Sequence, residues 1–192
     1  MAYRNQGSSP IAAWALIVVN LVLFMVRVIN PDIVYDMGLY SANFWDRPWT
    51  LVSCMFIHAS VWHILANMIT LYFFGSYLNR LLGTLKFLVV YFAGGIAGAI
   101  VYLLLPPSPY TVAIGASGAI FALGGVLAIM RPKLRVIVFP IPVPLPLWIA
   151  IIGIFAIVSF LPNVAWQAHL GGLVLGLMAG YFFRRRERRR YY

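Results

Sequence analysis

The run GASGAIFALGGVLAIM at residues 115–130 decides the fold, because it places a serine at the start of a long stretch without a single charged residue. From Ser117 to Met130 the run predicts a helix of fourteen residues, which is about 21 Å long at about 1.5 Å per residue. The hydrocarbon core of a bilayer is about 30 Å thick, so such a helix is too short to cross it alone. We therefore expect a membrane helix whose start at Ser117 lies below the outer surface, inside the protein.

The whole chain has the composition of a membrane protein. Hydrophobic residues make up 63% of its 192 residues and charged residues only 9%, and the mean hydropathy is +0.92. This composition cannot supply the polar surface of a soluble domain. In lipid every backbone polar group must be paired within the protein, and the apolar runs do not alternate as barrel strands do. Membrane-spanning helices are the remaining class.

Five further apolar runs predict the other spans. They cover residues 10–29, 61–78, 87–105, a run that follows Pro140, Pro142, Pro144 and Pro146 and ends at Leu161, and residues 165–183. We predict an all-α membrane protein, a bundle of six transmembrane helices over residues 10–183 with a short, recessed fourth helix. Residues 31–60 form a long first loop whose aromatic and charged side chains indicate a structure in the membrane interface.

Basic residues predict the orientation of this bundle. With the N-terminus inside, twelve of the fourteen lysines and arginines lie on the inner side, and only Arg27 and Arg47 lie outside. Residues 1–9 and the basic residues 184–192 then form two cytoplasmic tails of a protein in the cell membrane. The net charge of +10 indicates the lipid bilayer as a partner and not nucleic acid, because six arginines cluster directly after an apolar span.

Four polar side chains are expected at one depth of this bundle. His63 and Asn67 begin the second span, Ser117 begins the fourth, and His169 lies one turn inside the sixth. Ionisable groups within a membrane are functional candidates by default. Two simpler interpretations stay open: the histidines, with His58, lie at the headgroup level, and Asn67 joins helices through a hydrogen bond.

The residue types favour serine hydrolysis. A serine hydroxyl becomes a good nucleophile when a nearby histidine takes its proton. No Asp or Glu lies between Asp46 and Glu187, so a hydrolase here would use a Ser117–His169 dyad without the third residue of a triad. Phe121 follows Ser117 by one helical turn and is expected to pack on the imidazole of His169.

Small residues indicate that the fourth and sixth helices touch. Gly172, Gly176 and Gly180 share the helical face of His169, and such spacing lets two backbones approach closely. Gly118, Gly124 and Gly125 are the small residues of the facing run. The amide of Ser117 at a helix start, and His63 and Asn67 on one face of the second span, are candidate donors to an oxyanion.

These residues together resemble the rhomboid family of intramembrane serine proteases. Gly115-Ala116-Ser117-Gly118 is similar to the family's G-x-S-G nucleophile motif. The stretch HASVWHILANM at residues 58–68 is similar to its H-x4-H-x3-N pattern, and AHLGG at residues 168–172 stands in the sixth helix as the family's histidine motif does. The resemblance covers residues 45–182, with the motifs in the family's order.

The resemblance implies an activity and roles for individual residues. Ser117 would be the nucleophile and His169 the general base and acid, with an oxyanion hole of His63, Asn67 and the Ser117 amide. Gly115 would form the tight turn into the helix and His58 would brace the first loop. Substrates would be transmembrane helices of other proteins, cut near their outer ends. The resemblance implies no cofactor, and the sequence shows no cluster of metal ligands.

Two departures from the family leave the anchoring of the first loop open. The family often has a Trp-Arg pair there, whereas Thr50 follows Trp49 in this chain and Arg47 precedes it by two residues. Many members carry a Glu near the inner end of the second span, where this chain has Asn79. Two other functions also stay open: a catalytically inactive relative that binds membrane clients, and a small transporter with a polar path.

Overall fold

The computed structural model describes residues 9–138, 141–159, 161 and 164–188. Several predicted features lie outside the described residues. These are the first eight residues of the N-terminal tail, Pro140, residues 162–163 between the last two spans, and the terminal arginines Arg189 and Arg190.

The described residues are mainly helical. In chain order the helices are α1 (Ile11–Ile29), α2 (Ile33–Met37), α3 (Thr50–Ser53), α4 (Val61–Leu82), α5 (Thr84–Leu104), α6 (Ser117–Met130), α7 (Leu147–Ser159) and α8 (Trp166–Arg188). Short strands lie between them: β1 (Leu39–Tyr40), β2 (Val112–Ala113), β3 (Arg135–Val138) and β4 (Ile141–Pro146), with one 3-10 turn at Cys54–Phe56. Strand β1 pairs antiparallel with β2, and β3 pairs antiparallel with β4.

Three of the described helices are long and apolar enough to cross a membrane. They are α1, α4 and α5, with 19, 22 and 21 residues, whereas α6 is a shorter apolar helix. The chain is therefore a helical membrane protein. Six spans and a recessed α6 stay predictions.

The helix boundaries show where the sequence pattern was right and where it was wrong. Helix α6 begins at Ser117 and ends at Met130, as predicted. Helix α4 continues one turn beyond the predicted end at residue 78, and α5 begins three residues before residue 87. The break between them is the single residue Gly83, which has a φ of 85°. Because this left-handed conformation suits glycine, one residue ends the first helix and starts the second.

Helix α8 also extends past its predicted end at residue 183, into the arginine run. Arginine is a good helix former, so the run does not stop the helix. Two contacts hold this end: Arg184 Nη1 donates to the Ile129 carbonyl in α6 at 3.1 Å, and Glu187 pairs at 3.1 Å with Arg131, the residue after α6.

The proline series precedes a helix, as predicted, since α7 begins at Leu147, and the structure adds that these prolines form a strand. Pro142, Pro144 and Pro146 lie within β4, opposite β3, with Val136 facing Leu145. Prolines at every second position remove backbone donors from one edge of the strand only, so the other edge can still pair.

Helix α6 is the centre of the bundle. Eleven of its fourteen residues are buried, and it packs mainly against α8 and α5, then against α4 and α7. Helix α1 lies at the periphery, where it buries Ala13, Leu16, Ile17 and Asn20.

The first loop is anchored by the residues at which the family resemblance departs. Arg47 Nη1 donates to the Tyr35 carbonyl at 2.8 Å and to Asp36 Oδ1 at 2.9 Å, and Trp49 Nε1 donates to the Asp36 carbonyl at 2.9 Å. At the end of α4, Asn79 Nδ2 donates to the carbonyl of Ser9, just before α1, at 2.8 Å. The chain therefore has its own anchors at both places.

Candidate active site

Ser117 and His169 lie in direct contact, although 52 residues separate them. Ser117 is the first residue of α6, His169 lies in the first turn of α8, and Ser117 Oγ is 2.8 Å from His169 Nε2. The Phe121 ring packs beside the imidazole, with centroids 4.7 Å apart and planes tilted by 33°. This contact holds the ring in place where a triad would use a carboxylate.

Glycines on α8 make this contact geometrically achievable. A Cβ atom on Gly172 would collide with the carbonyl oxygen of Gly118, and one on Gly176 would collide with that of Ala122. The predicted small-residue face therefore lies directly on the backbone of α6. Close helix packing of this kind fixes the distance between the two helix starts, and with it the distance between Ser117 and His169.

Helix α5 supplies a second close contact that the sequence analysis missed. A Cβ atom on Gly98 would collide with the carbonyl oxygen of Ala168, the residue before His169. In α8, a Cβ atom on Gly171 would lie 2.5 Å from the carbonyl oxygen of Ala97 in α5. The start of α8 is therefore held between α5 and α6. The GGxxG pattern at residues 94–98 was the signal for this packing.

Gly115 turns the chain sharply into α6. Its φ of 116° lies in the region that L side chains rarely adopt. A Cβ there would also lie 2.6 Å from His63 Nε2. The Gly115 amide donates to the Cys54 carbonyl at 2.8 Å. Glycine is thus required twice, for the turn and for the close approach of the imidazole.

His58 supports the next residue of this turn. It is fully buried, and its Nε2 accepts a hydrogen bond from the Ala116 amide at 3.5 Å. Its ring lies edge-on to His63 at 4.9 Å. Burial, and to a smaller extent the nearby His63, lower the pKa of His58 to about 3. The ring is therefore neutral at ordinary pH and serves as an acceptor.

His63 and Asn67 face the same space from α4. His63 Nδ1 accepts a hydrogen bond from the Ala59 amide at 3.3 Å. A neutral imidazole that accepts at Nδ1 carries its proton on Nε2, so the nitrogen beside Gly115 is a donor. Asn67 Nδ2 donates to the His63 carbonyl at 2.8 Å. That bond lies within α4, and it uses one of the two hydrogens of the amide.

A cavity of about 890 Å³ joins these groups. Its polar wall includes His63, Asn67, Ser117 and His169. Towards its other end the lining becomes apolar, with Phe74 from α4 and Ile151 and Ile154 from α7. A volume of this size is typical of ligand-binding pockets, and the lining here combines polar and apolar side chains.

Two polar residues near the cavity were missed by the sequence analysis. The Tyr102 hydroxyl donates to the Thr111 carbonyl at 2.9 Å, which ties α5 to the loop before β2. Gln167 Nε2 donates to the Leu105 carbonyl at 2.8 Å, which ties the start of α8 to the end of α5. A tyrosine or glutamine near a helix end is common in membrane proteins, so the sequence carried no signal that distinguished them.

Comparison with known proteins agrees with this architecture. Residues 46–186 match the family model described as the Rhomboid domain. The chain is 31% identical over 167 residues to the Bacillus subtilis protein named "Putative rhomboid protease YdcA". This aligned region covers 82% of this chain and 76% of that protein. It is 30% identical over 151 residues to "Rhomboid protein 1, mitochondrial" of Saccharomyces cerevisiae, which covers 69% of this chain and 41% of that protein.

A third relative is "RHOMBOID-like protein 1" of Arabidopsis thaliana, which is 35% identical over 136 residues, or 70% of this chain and 34% of that protein. The chain thus spans less than half the length of these two yeast and plant relatives. A helical membrane protein with a serine–histidine pair on an internal cavity is the class that the fold and the site define. Within that class, the chain belongs to the rhomboid family.

Proposed function

We propose that this protein is an intramembrane serine endopeptidase that hydrolyses peptide bonds in or near transmembrane helices of other membrane proteins. The contact of 2.8 Å between Ser117 Oγ and His169 Nε2 carries this proposal. It is the contact that a general base needs in order to take the proton of a nucleophile.

In the proposed reaction, His169 Nε2 takes the hydroxyl proton while Ser117 Oγ attacks the scissile carbonyl carbon. The resulting imidazolium lies beside the face of Phe121, which favours a cation. Collapse of the tetrahedral intermediate breaks the C–N bond, and His169 returns the proton to the leaving amine. A water molecule, deprotonated by the same nitrogen, then hydrolyses the ester on Ser117 and restores the enzyme.

The negative oxygen of the intermediate would be stabilised by three donors. The Ser117 amide belongs to the first turn of α6, where amides have no acceptor within the helix and the helix dipole favours negative charge. His63 Nε2–H and the second hydrogen of Asn67 Nδ2 complete the set. Each such donor is worth about 10²–10³ in rate in other hydrolases.

The proposed placement in the membrane follows from charge and helix length. Six spans with both termini in the cytoplasm would put the start of α6 below the outer surface of the cell membrane. The cavity then opens to the outside, so that water reaches Ser117. A substrate helix would approach sideways between α4 and α7, along Phe74, Ile151 and Ile154. These side chains are apolar, as a surface for a lipid-embedded substrate should be.

The deciding experiment compares purified wild-type protein with Ser117→Ala and His169→Ala on a single-span model substrate in detergent, with fluorophosphonate labelling in parallel. We expect both variants to lose at least about 10⁴-fold in cleavage. Ser76→Ala is a matched control, because Ser76 is another buried serine and lies on α4 away from the cavity wall.

Two other results would change the assignment. Cleavage by the Ser117→Ala protein would show that another group is the nucleophile. If folded wild-type protein neither cuts nor labels with several substrates between pH 5 and 9, the client-binding function replaces the proteolytic one.

A further inference from the structure

A second cavity lies at the opposite end of α6 from Ser117. It has a volume of about 350 Å³ and is lined by Tyr77, Met130, Arg131, Pro132, Lys133 and Leu134. The fourteen residues of α6 separate its wall from the Ser117–His169 pair, a distance of about 20 Å along the helix. This cavity therefore belongs to neither the dyad nor its oxyanion donors.

The surface around this cavity carries uncompensated positive charge. Beyond Asp46 the chain has one acidic residue, Glu187. That carboxylate is held by both terminal nitrogens of Arg131, at 3.1 and 3.2 Å. Lys133 and Arg135 are exposed beside it, and the sequence offers no further carboxylate to pair with them. The site therefore favours an anion.

Apolar side chains lie next to these charges. On the β3–β4 hairpin Ile137 is 70% exposed and Val143 is 58% exposed. Exposed aliphatic side chains beside lysine and arginine are typical of surfaces that lie at the boundary of headgroups and acyl chains. We call Lys133, Arg135, Ile137 and Val143 the hairpin surface.

The backbone of β4 argues against a peptide strand as the occupant. Leu147 N donates to the Leu134 carbonyl at 2.9 Å, and Leu145 lies opposite Val136 in the same register, so the amide of Leu145 is directed towards β3 before the register shifts between Val136 and Val138. The even-numbered positions 142, 144 and 146 are prolines. The free edge of β4 thus presents carbonyls without donors, and an added strand could not complete its ladder there.

We propose that the cavity beside Tyr77 and Lys133 binds the headgroup of an anionic phospholipid of the inner leaflet, with Ile137 and Val143 of the hairpin surface in contact with acyl chains. Lys133 and Arg135 supply the charge, and the Tyr77 hydroxyl supplies a donor to the phosphate. The proposal rests on the orientation given under the proposed function, in which this end of α6 faces the cytoplasm.

The test is lipid retention, which does not depend on proteolysis. Full-length protein in detergent is titrated with phosphatidylglycerol or phosphatidylcholine, and the bound lipids are counted by native mass spectrometry. We expect wild type to retain phosphatidylglycerol, and the double variant Lys133→Gln/Arg135→Gln to bind it about 30-fold more weakly. Restoring charge with Lys133→Arg/Arg135→Lys should restore retention.

Lys86→Gln is the matched control, since Lys86 is an exposed basic residue at the start of α5 and belongs to neither the cavity nor the hairpin. If Lys86→Gln loses as much phosphatidylglycerol as the double variant, the loss reflects the overall charge of the protein, and the proposed site is wrong. Equal retention by wild type and the double variant would also overturn it. The alternative occupant is an acidic segment that flanks a substrate helix. In that case the double variant would retain lipid as wild type does and would differ only in the cleavage of substrates with such a segment. That result would likewise contradict the proposal.

Discussion

The two sides of α6 differ in what touches them. On one side Gly118 and Ala122 lie against the backbone of α8, at Gly172 and Gly176, so closely that no side chain fits between the helices. On the other side Ser117, Phe121 and Gly124 line a cavity of about 890 Å³. The packed side fixes the distance between α6 and α8, and the other side leaves room for a bound molecule.

This difference shows how a serine–histidine pair without an orienting carboxylate can still be ordered. The precision of the Ser117–His169 contact comes from backbone packing, which has few alternative arrangements. The cavity side contributes polar groups and space but little packing. Substitutions on the two sides should therefore fail in different ways, through stability on the packed side and through catalysis on the cavity side.

The largest effect is expected from Gly172→Ala. The added methyl group would collide with the Gly118 carbonyl and push α8 away from α6. Overpacking costs about 1–3 kcal/mol where side chains can yield, and backbone yields less. We expect a lower unfolding temperature in detergent and loss of cleavage. Gly153→Ala in α7 is the control, since a Cβ there has no atom within 4 Å among those described; equal damage in both variants would contradict the role of close packing.

Asn67→Ala should affect the cavity side alone. We expect cleavage to fall about 10²–10³-fold through the loss of one oxyanion donor, with little change in unfolding temperature. Thr70→Ala is the matched control, because Thr70 also lines the cavity and its hydroxyl bonds within α4, to the Ala66 carbonyl at 2.8 Å. If the two variants are equally active, Asn67 is not an oxyanion donor.

His58 should make stability depend on pH. Its folded pKa of about 3 lies below its unfolded value of about 6.5, so protons bind the unfolded chain more tightly. The stability from the neutral ring is present above about pH 6.5 and is lost as the pH falls towards 3. Unfolding temperatures at pH 4.5 and 7.5 should therefore differ more for wild type than for His58→Gln. The same difference in both proteins would assign the pH dependence to other groups.

The smallest effect concerns the single cysteine. Burial raises the pKa of the Cys54 thiol to about 12, so very little thiolate forms at pH 8. Maleimide should label Cys54 slowly in the folded protein and rapidly after denaturation. Trp45→Cys in a Cys54→Ala background is the control for accessibility, since Trp45 is 88% exposed; comparable labelling rates in the two folded proteins would show that the turn at residues 54–56 opens freely.

Much of the packed side could be predicted from sequence. The bounds of α6 follow from the small-residue stretch that leads into the apolar run at Ser117 and from Arg131 at its end, and the glycine spacing after His169 identifies the face that meets α6. Helical period and residue size are local properties, so a single sequence expresses them. The rhomboid family is confirmed by the comparisons, whereas the roles of individual site residues stay predictions that the experiments above test.

Features that depend on distant pairing could not be predicted. The β1–β2 pair joins Leu39 to Ala113, and the Arg131–Glu187 pair joins residues 56 positions apart. Neither leaves a local pattern. The prolines of β4 were predicted only to precede the fifth span, and the strand that they form is recognised only from its pairing partner β3.

The backbone just before Ser117 is joined to the first loop at three successive places: Ala113 pairs with Leu39, the Gly115 amide reaches Cys54, and the Ala116 amide reaches His58. In hydrogen-exchange terms these bonds form one cooperative unit. The amide protons of Gly115 and Ala116 can exchange only when this part of the loop detaches as well. Loosening the loop would thus disorder the turn that leads into the serine, without any change to the serine itself.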